Sequence, residues 1–341
     1  MTELSIRRVD LSRVDWPALD AFADRVVFQT RDWLSFIART QGAEPVVAEV
    51  VRGSERVGWF TGAVVRRFGV PILGSPFPGW MTGPMGFNLV DGVSRRAAAE
   101  ALVPFAFRDL RCLHLELRDR LLSAEDLDGL GFRTSPTVLF ELDLLAPEAE
   151  IFGAMKSACR RAIRKSQKEG VRVEEASGEG FADEYYAQLL DVFARQDIQP
   201  TYSAERVREL IRALEPTGRL LLLRAVSPGG ESIATGIFPA MNRMAYFWGG
   251  ASWRQHQNLR PNEAIFWHAI RYWKERGIEV LDMGGGGEYK RKYGPRESTV
   301  PHFRRSKVPG LLVLRDLAAW VANRPHRAAE RARARARSSA S

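Results

Sequence analysis

The chain has 341 residues, a net charge of +9 at pH 7, 45% hydrophobic and 27% charged residues, enough for two globular domains of ordinary size. No run of about 18 apolar residues occurs, which argues against a membrane-spanning helix, and Met1 to Asp10 lacks the apolar centre of a secretory leader. The two cysteines, Cys112 and Cys159, fit no metal spacing and could form at most one bridge, so the expectation is a cytoplasmic protein without a metal site.

In chain order, residues 4–9 read as a strand, followed by helical stretches over 16–24 and 31–40. Strands are expected over 45–51, 57–65 and, more weakly, 70–73. A Pro/Gly-rich aromatic loop over Ser75 to Pro84 comes next, then a helix over 94–110 and strands over 113–117 and 138–142. A long basic helix is predicted over 147–169, closed by Gly170. Beyond it come a strand over 171–175 and helices over 182–195 and 204–214, the second behind a Ser203 cap. Strands over 219–226, 232–240 and 244–251 follow, then a helix over 261–276 and a strand over 278–283. The order β-α-α-β-β-β-α-β therefore occurs twice. That recurrence predicts an α/β fold with mixed sheets in two copies: lobes over 1–146 and 171–325, a linking helix over 147–170, and a basic tail over 326–341. In the tail Arg331, Arg333, Arg335 and Arg337 alternate with alanines. Such a segment is expected to be disordered and suits RNA, anionic lipid or plain solubilisation.

Three groups of residues could carry chemistry. Lys156, Arg160, Arg164 and Lys168 recur every fourth residue along the linking helix. Like charges stacked on one helical face repel, and a polyanion would relieve them; the bland alternative is a solvated face. Asp282 to Lys290 places four glycines directly after an apolar strand. There a ligand can approach the backbone closely, with Gly284 and Gly285 as contacts and Lys290 as a point charge; the alternative is a plain loop with surface lysines. The aromatic loop offers Trp80 as a cleft wall or as core. No GxSxG, HExxH, CxxC or phosphate-binding Walker loop is present.

These segments carry a family resemblance. Asn262 to Ile270, Leu281 to Gly285 and Tyr289-Lys290-Arg291-Lys292-Tyr293-Gly294 resemble the C-terminal signature of FemABX-like transferases, members of the GNAT superfamily. Met155 to Gly170 and Val27 to Leu34 are similar to further segments of that family, so the resemblance spans most of the chain. It implies a tandem GNAT fold and transfer of an acyl group to an amine. In FemABX members the aminoacyl group comes from aminoacyl-tRNA and is added to a cell-wall peptide precursor. It also implies that Lys290 lies in the reaction cleft. Where members that bind muramyl nucleotides carry a lysine shortly after the tryptophan matched by Trp33, this chain has Ser35, Phe36 and Ile37, with Arg39 the nearest base.

The donor is read from the stretch Gln257 to Asn262. It holds no glycine, and Pro261 removes one N–H from the helix start. A CoA pyrophosphate, which is held by such amides, is therefore disfavoured relative to aminoacyl-tRNA. The expectation is a donor acting as co-substrate with no bound cofactor. Direct attack by the acceptor amine is expected, with Lys290 at the developing oxyanion and Asp282 and Tyr289 as further catalytic candidates; Tyr202 is expected to orient substrate. An acyl-CoA-dependent N-acetyltransferase and a non-catalytic RNA- or membrane-surface-binding protein are the alternative classes.

Overall fold

A computed structural model describes residues 3–194, 199–308 and 310. The basic tail predicted over 326–341 lies outside the described residues.

The first half contains β1 (Leu4–Val9), α1 (Trp16–Asp20), α2 (Arg31–Gln41), β2 (Glu44–Arg52), β3 (Glu55–Arg67), β4 (Val70–Ser75), β5 (Gly86–Leu89), α3 (Arg95–Pro104), β6 (His114–Leu117) and β7 (Arg133–Asp143). The middle carries α4 (Glu148–Ala154) and α5 (Ser157–Lys168). The second half contains β8 (Arg172–Ala176), α6 (Gly180–Ala194), α7 (Ala204–Leu214), β9 (Leu220–Val226), β10 (Ser232–Met241), β11 (Met244–Tyr246), β12 (Gly249–Ser252), α8 (Pro261–Glu275), β13 (Val280–Asp282) and β14 (Arg296–Ser306). Local chemistry sets several boundaries. Thr30 caps α2 by accepting from the Trp33 amide, and Gly42 ends the helix at φ 60°. Ser94 caps α3 through the Ala97 amide.

The duplication is plain in the strand pairing. In the first lobe β3 pairs with both β4 and β5, and β4 runs parallel to β6. In the second, β10 pairs with both β11 and β12, and β11 runs parallel to β13. Register makes Glu116, opposite Gly74, the counterpart of Asp282, opposite Tyr246. Each lobe thus splits its fourth strand. In the second lobe the split falls at Phe247–Trp248, within what reads in sequence as one strand over 244–251. In the first lobe the whole loop 76–85 is inserted at the same place.

The lobes share one sheet, and one sequence expectation, the single linking helix, is corrected. All the strands join one mixed sheet in which β14 returns to pair with β6 of the first lobe, while β7 pairs with β13 of the second. β7 and β14 pair with each other at the centre, Pro136 opposite Pro301. Each lobe therefore lends its last strand to the other. The linking segment is not one helix. Met155 and Lys156 are extended, with ψ 146° and 143°. Met155 is 1% exposed in the second core, and the Lys156 amide donates to the Lys292 carbonyl at 2.9 Å. The gain from burying Met155 and the long-range hydrogen bond to Lys292 outweigh helical continuity. The kink also crosses Gly294, where a Cβ would lie 2.6 Å from the Ala154 carbonyl oxygen.

Candidate active site

Strand direction places the site. β6 and β13 run toward one another from opposite ends, because each is antiparallel to the exchanged strand beside it. Their carboxyl ends face a cleft of about 430 Å³ floored by Thr137 and Leu139 of β7. Phe77, Met81 and Gly83 from the inserted loop wall it on the first-lobe side, with Arg118 just past β6. Phe247, Trp248, Gly284 and Lys290 wall it on the other.

The glycine run owes its composition first to its backbone. Gly284, Gly286 and Gly287 have φ of 72°, 68° and 77°, a region that side chains disfavour. A Cβ on Gly285 would lie 2.8 Å from the Val138 carbonyl oxygen. The loop turns Lys290, in a 3-10 helix over Glu288–Tyr293, back onto itself, and Lys290 Nζ donates to the Gly285 carbonyl at 3.0 Å. Lys290 is 7% exposed, and burial lowers its pKa, opposed by the Asp282 charge. Two cleft-lining residues carry a buried polar atom without a hydrogen-bond partner among the described residues, Trp248 Nε1 and Arg118 Nε, while the Tyr246 hydroxyl lies against Arg120. Burial lowers the Arg118 pKa and raises that of Tyr246. A desolvated guanidinium and an unpartnered indole N–H thus stand beside a buried ammonium.

A buried network holds this loop. Arg120, from the first lobe, donates to Glu141 of β7 and to Asp282 of β13. The other Asp282 oxygen accepts from the Gly284 amide at 2.6 Å. Burial acts first on all three groups. It raises the Asp282 carboxyl, whereas for Glu141 the Arg120 charge and hydrogen bond prevail and lower the pKa. Around Arg120 itself, Tyr246, Asp282 and Glu141 outweigh burial and raise its pKa. Asp282 is thus engaged on both oxygens and serves as a strut for the loop rather than as a free base. Its counterpart Glu116 faces His302 instead, 2.9 Å away.

A family model described as an acetyltransferase (GNAT) domain matches residues 153–293. Over these residues the chain is similar to GNAT acetyltransferase domains. The fold likeness extends further than that match. FemX covers 87% of this chain, and the chain covers 96% of FemX, with a TM-score of 0.71 at 14% identity. L-PGS from Bacillus licheniformis gives a TM-score of 0.53 at 13% identity over 85% of this chain and 96% of its own. A tandem GNAT protein from the clavulanic acid biosynthesis pathway gives 0.55 at 15% over 90% and 99%. Among curated proteins, the DNA repair protein RecO of Rhodopseudomonas palustris strain TIE-1 is 28% identical over 188 residues, 53% of this chain and 67% of that one. The fold is a tandem, FemX-like GNAT fold.

Within this GNAT frame the sequence-predicted residues scatter. Lys290, Gly284, Gly285 and Asp282 all reach the cleft. Tyr289 lines a neighbouring cavity of about 340 Å³ in the split between β12 and the 288–293 helix, together with Asn262 at the start of α8. Trp80 is corrected to core. It is 5% exposed and packs against Phe77, while its carbonyl accepts from Arg206 at 2.6 Å; its loop neighbours, not its ring, wall the cleft. Tyr202 hydrogen-bonds Tyr185 at 2.6 Å and packs behind Trp248. Of the basic residues, Arg160 turns back to the Gly153 and Met155 carbonyls. Lys156 precedes α5, and Arg164 lies over the Phe152 ring. Lys156, Arg161, Arg164, Lys165 and Lys168 are exposed, and none pairs with a carboxylate among the described residues. Arg118, Arg120, Tyr246 and Trp248 carry no signal of their own in the sequence. The pointer to the two arginines is the duplication itself, since Arg118 to Arg120 follow β6 as the glycines follow β13.

Proposed function

We propose that this protein transfers an aminoacyl group from aminoacyl-tRNA to the amine of an acceptor held in the inter-lobe cleft. A cell-wall peptide precursor or another small amine would fill that role. The observation that carries the reading is Lys290, buried where the two lobes' strand ends meet, with Arg118 and Trp248 in the same cleft. The neutral amine attacks the ester carbonyl, the C–N bond forms, the ester C–O bond breaks, and the amine's proton ends on the released ribose hydroxyl. The ester is already activated, so positioning supplies much of the rate. Lys290 stabilises the oxyanion, and Arg118 holds substrate oxygens. The donor choice is supported by the start of α8, where Arg260 stands at φ 62° ahead of Pro261 with no side-chain cap. It is supported also by the unpaired basic face of α5. The decisive experiment offers the protein a pool of charged tRNAs alongside acetyl-CoA and follows which is consumed. Unconsumed charged tRNA sinks the proposal.

The α5 face gives a second expectation. Changing Arg161, Arg164 and Lys165 to Gln weakens aminoacyl-tRNA binding at low salt. It also flattens the salt dependence by about 0.7 log units per log unit of salt for each phosphate no longer neutralised. Stability shifts by about 0.5 kcal/mol or less per site. Unchanged tRNA affinity makes the face merely solvated.

The cavity beside α8 favours a second reading, an acyl-CoA donor seated in the second-lobe split. Micromolar affinity for CoA by calorimetry, with no turnover of charged tRNA, establishes that reading in place of the first.

A further inference from the structure

β3 and β4 are joined by a two-residue turn, Phe68–Gly69, with Arg67 paired to Val70 across it. Both turn residues have positive φ, 50° and 77°, a hairpin geometry that favours Asn-Gly. Phe68 is 103% exposed and touches no core. A large aromatic in a disfavoured conformation with all its surface in water contributes nothing to this fold. Around it, Arg66, Arg67 and Arg111 are exposed and make no ion pair among the described residues. The Leu113 amide donates to the Pro71 carbonyl and the Lys307 amide to the Leu113 carbonyl, each at 2.9 Å, so the Arg111 loop and the end of β14 lie beside the hairpin. Val308, 48% exposed, adds a second apolar side chain. Of the acids at this edge, Glu44 is paired to Arg8, leaving Asp109 against the arginines.

We infer that this edge of the first lobe docks on an anionic lipid surface. Phe68 enters the interface between headgroups and chains, and the arginines lie against lipid phosphates. An exposed apolar tip within a basic field is complementary to such a surface. The chain leaving this edge at Gly310 continues with Leu311, Leu312, Val313 and Leu314 and ends in the alternating arginines. The edge lies at the amino ends of β4 and β6, the cleft at their carboxyl ends, so docking leaves the cleft open.

Co-sedimentation of the full chain with phosphatidylcholine vesicles, with and without about one-third phosphatidylglycerol, tests this. Binding is expected only with the anionic lipid. Phe68→Ser weakens it roughly tenfold, and Phe68→Leu keeps most of it. Arg66→Gln and Arg67→Gln each weaken it roughly fivefold, an effect that fades at high salt. Transfer to a soluble acceptor is unchanged in all four variants. Equal binding to both vesicle types, or wild-type binding by Phe68→Ser, overturns the inference. So does loss of binding on changing Arg331, Arg333, Arg335 and Arg337 to Gln when Phe68→Ser has no effect, because the tail alone then carries it. If Phe68→Ser impairs binding to a single-stranded RNA oligonucleotide and not to vesicles, the partner is RNA and the inference fails.

Discussion

Lys290→Ala lowers turnover by about 10²–10³-fold, the usual cost of removing one donor from a developing oxyanion. The fold survives, because the hydrogen bond Lys290 makes among the described residues is to the loop carbonyl of Gly285. A rise in KM at unchanged turnover instead assigns Lys290 to holding the acceptor in the ground state. The pH profile separates the remaining roles. Burial lowers the Lys290 pKa. If the ammonium acts, kcat falls as pH rises through a value below that of an ordinary lysine; if the free amine acts as base, kcat rises through it. The proper control is Arg291→Gln, whose partners Glu288 and Glu297 are both exposed. Lys292 is a poor control, because it is paired at 2.8 Å with Glu263, whose side chain is 11% exposed, so its loss strands a mostly buried carboxylate. Full activity in Lys290→Ala removes the proposed mechanism.

Arg120→Met destabilises the protein by about 3 kcal/mol or more, the cost of leaving a buried carboxylate without its partner. Asp282, 3% exposed, is then left with the Gly284 amide, and Glu141, 2% exposed, with Arg296 at 3.2 Å. Urea denaturation measures the loss, and adding Glu141→Gln to Arg120→Met recovers part of it, because the remaining charge is smaller. The pair also sets an acid limit. Despite burial, Arg120 holds the Glu141 pKa below that of an ordinary glutamate. The unfolded chain therefore takes up the proton first. The stabilisation is complete above about pH 4.3 and is lost as pH falls toward the lowered folded value. Arg120→Met narrows that segment of the pH–stability curve, because Arg296 and Ser298 alone then act on Glu141. Its kcat falls as well, since Asp282 no longer fixes Gly284 and the loop that aims Lys290. A variant as stable as the parent places the network outside the folding free energy.

The duplicated element order was legible because its signals are local: glycines and Pro261 at helix ends, and apolar strands such as Leu220–Val226. What was hidden depends on distant partners. Nothing within 147–169 announces that Met155 has a pocket waiting, so its helical pattern reads through. The split at Phe247–Trp248 separates β11, which pairs with both β10 and β13, from β12, which pairs with β10, and no alternation of residues encodes that. Lys290 could be named because it belongs to a compact motif. Arg118 and Tyr246 belong to none, and only the register of β4 with β6 and β11 with β13 brings them to one cleft. The basic stripe was legible as a period of four, but a sequence cannot say that Arg160 spends its donors on its own backbone.

The exchange of β7 and β14 bears on how the chain is made. As synthesis proceeds, β6 emerges early, yet its neighbour β14 is nearly two hundred residues downstream. Until Arg296–Ser306 leaves the ribosome, the first lobe has a bare edge along β6, and β7 has one open side. Such edges invite pairing with other chains. Neither lobe can finish alone, and cutting the gene at the 147–170 connection does not yield two domains. A stop codon placed before Arg296 injures the lobe that was translated first.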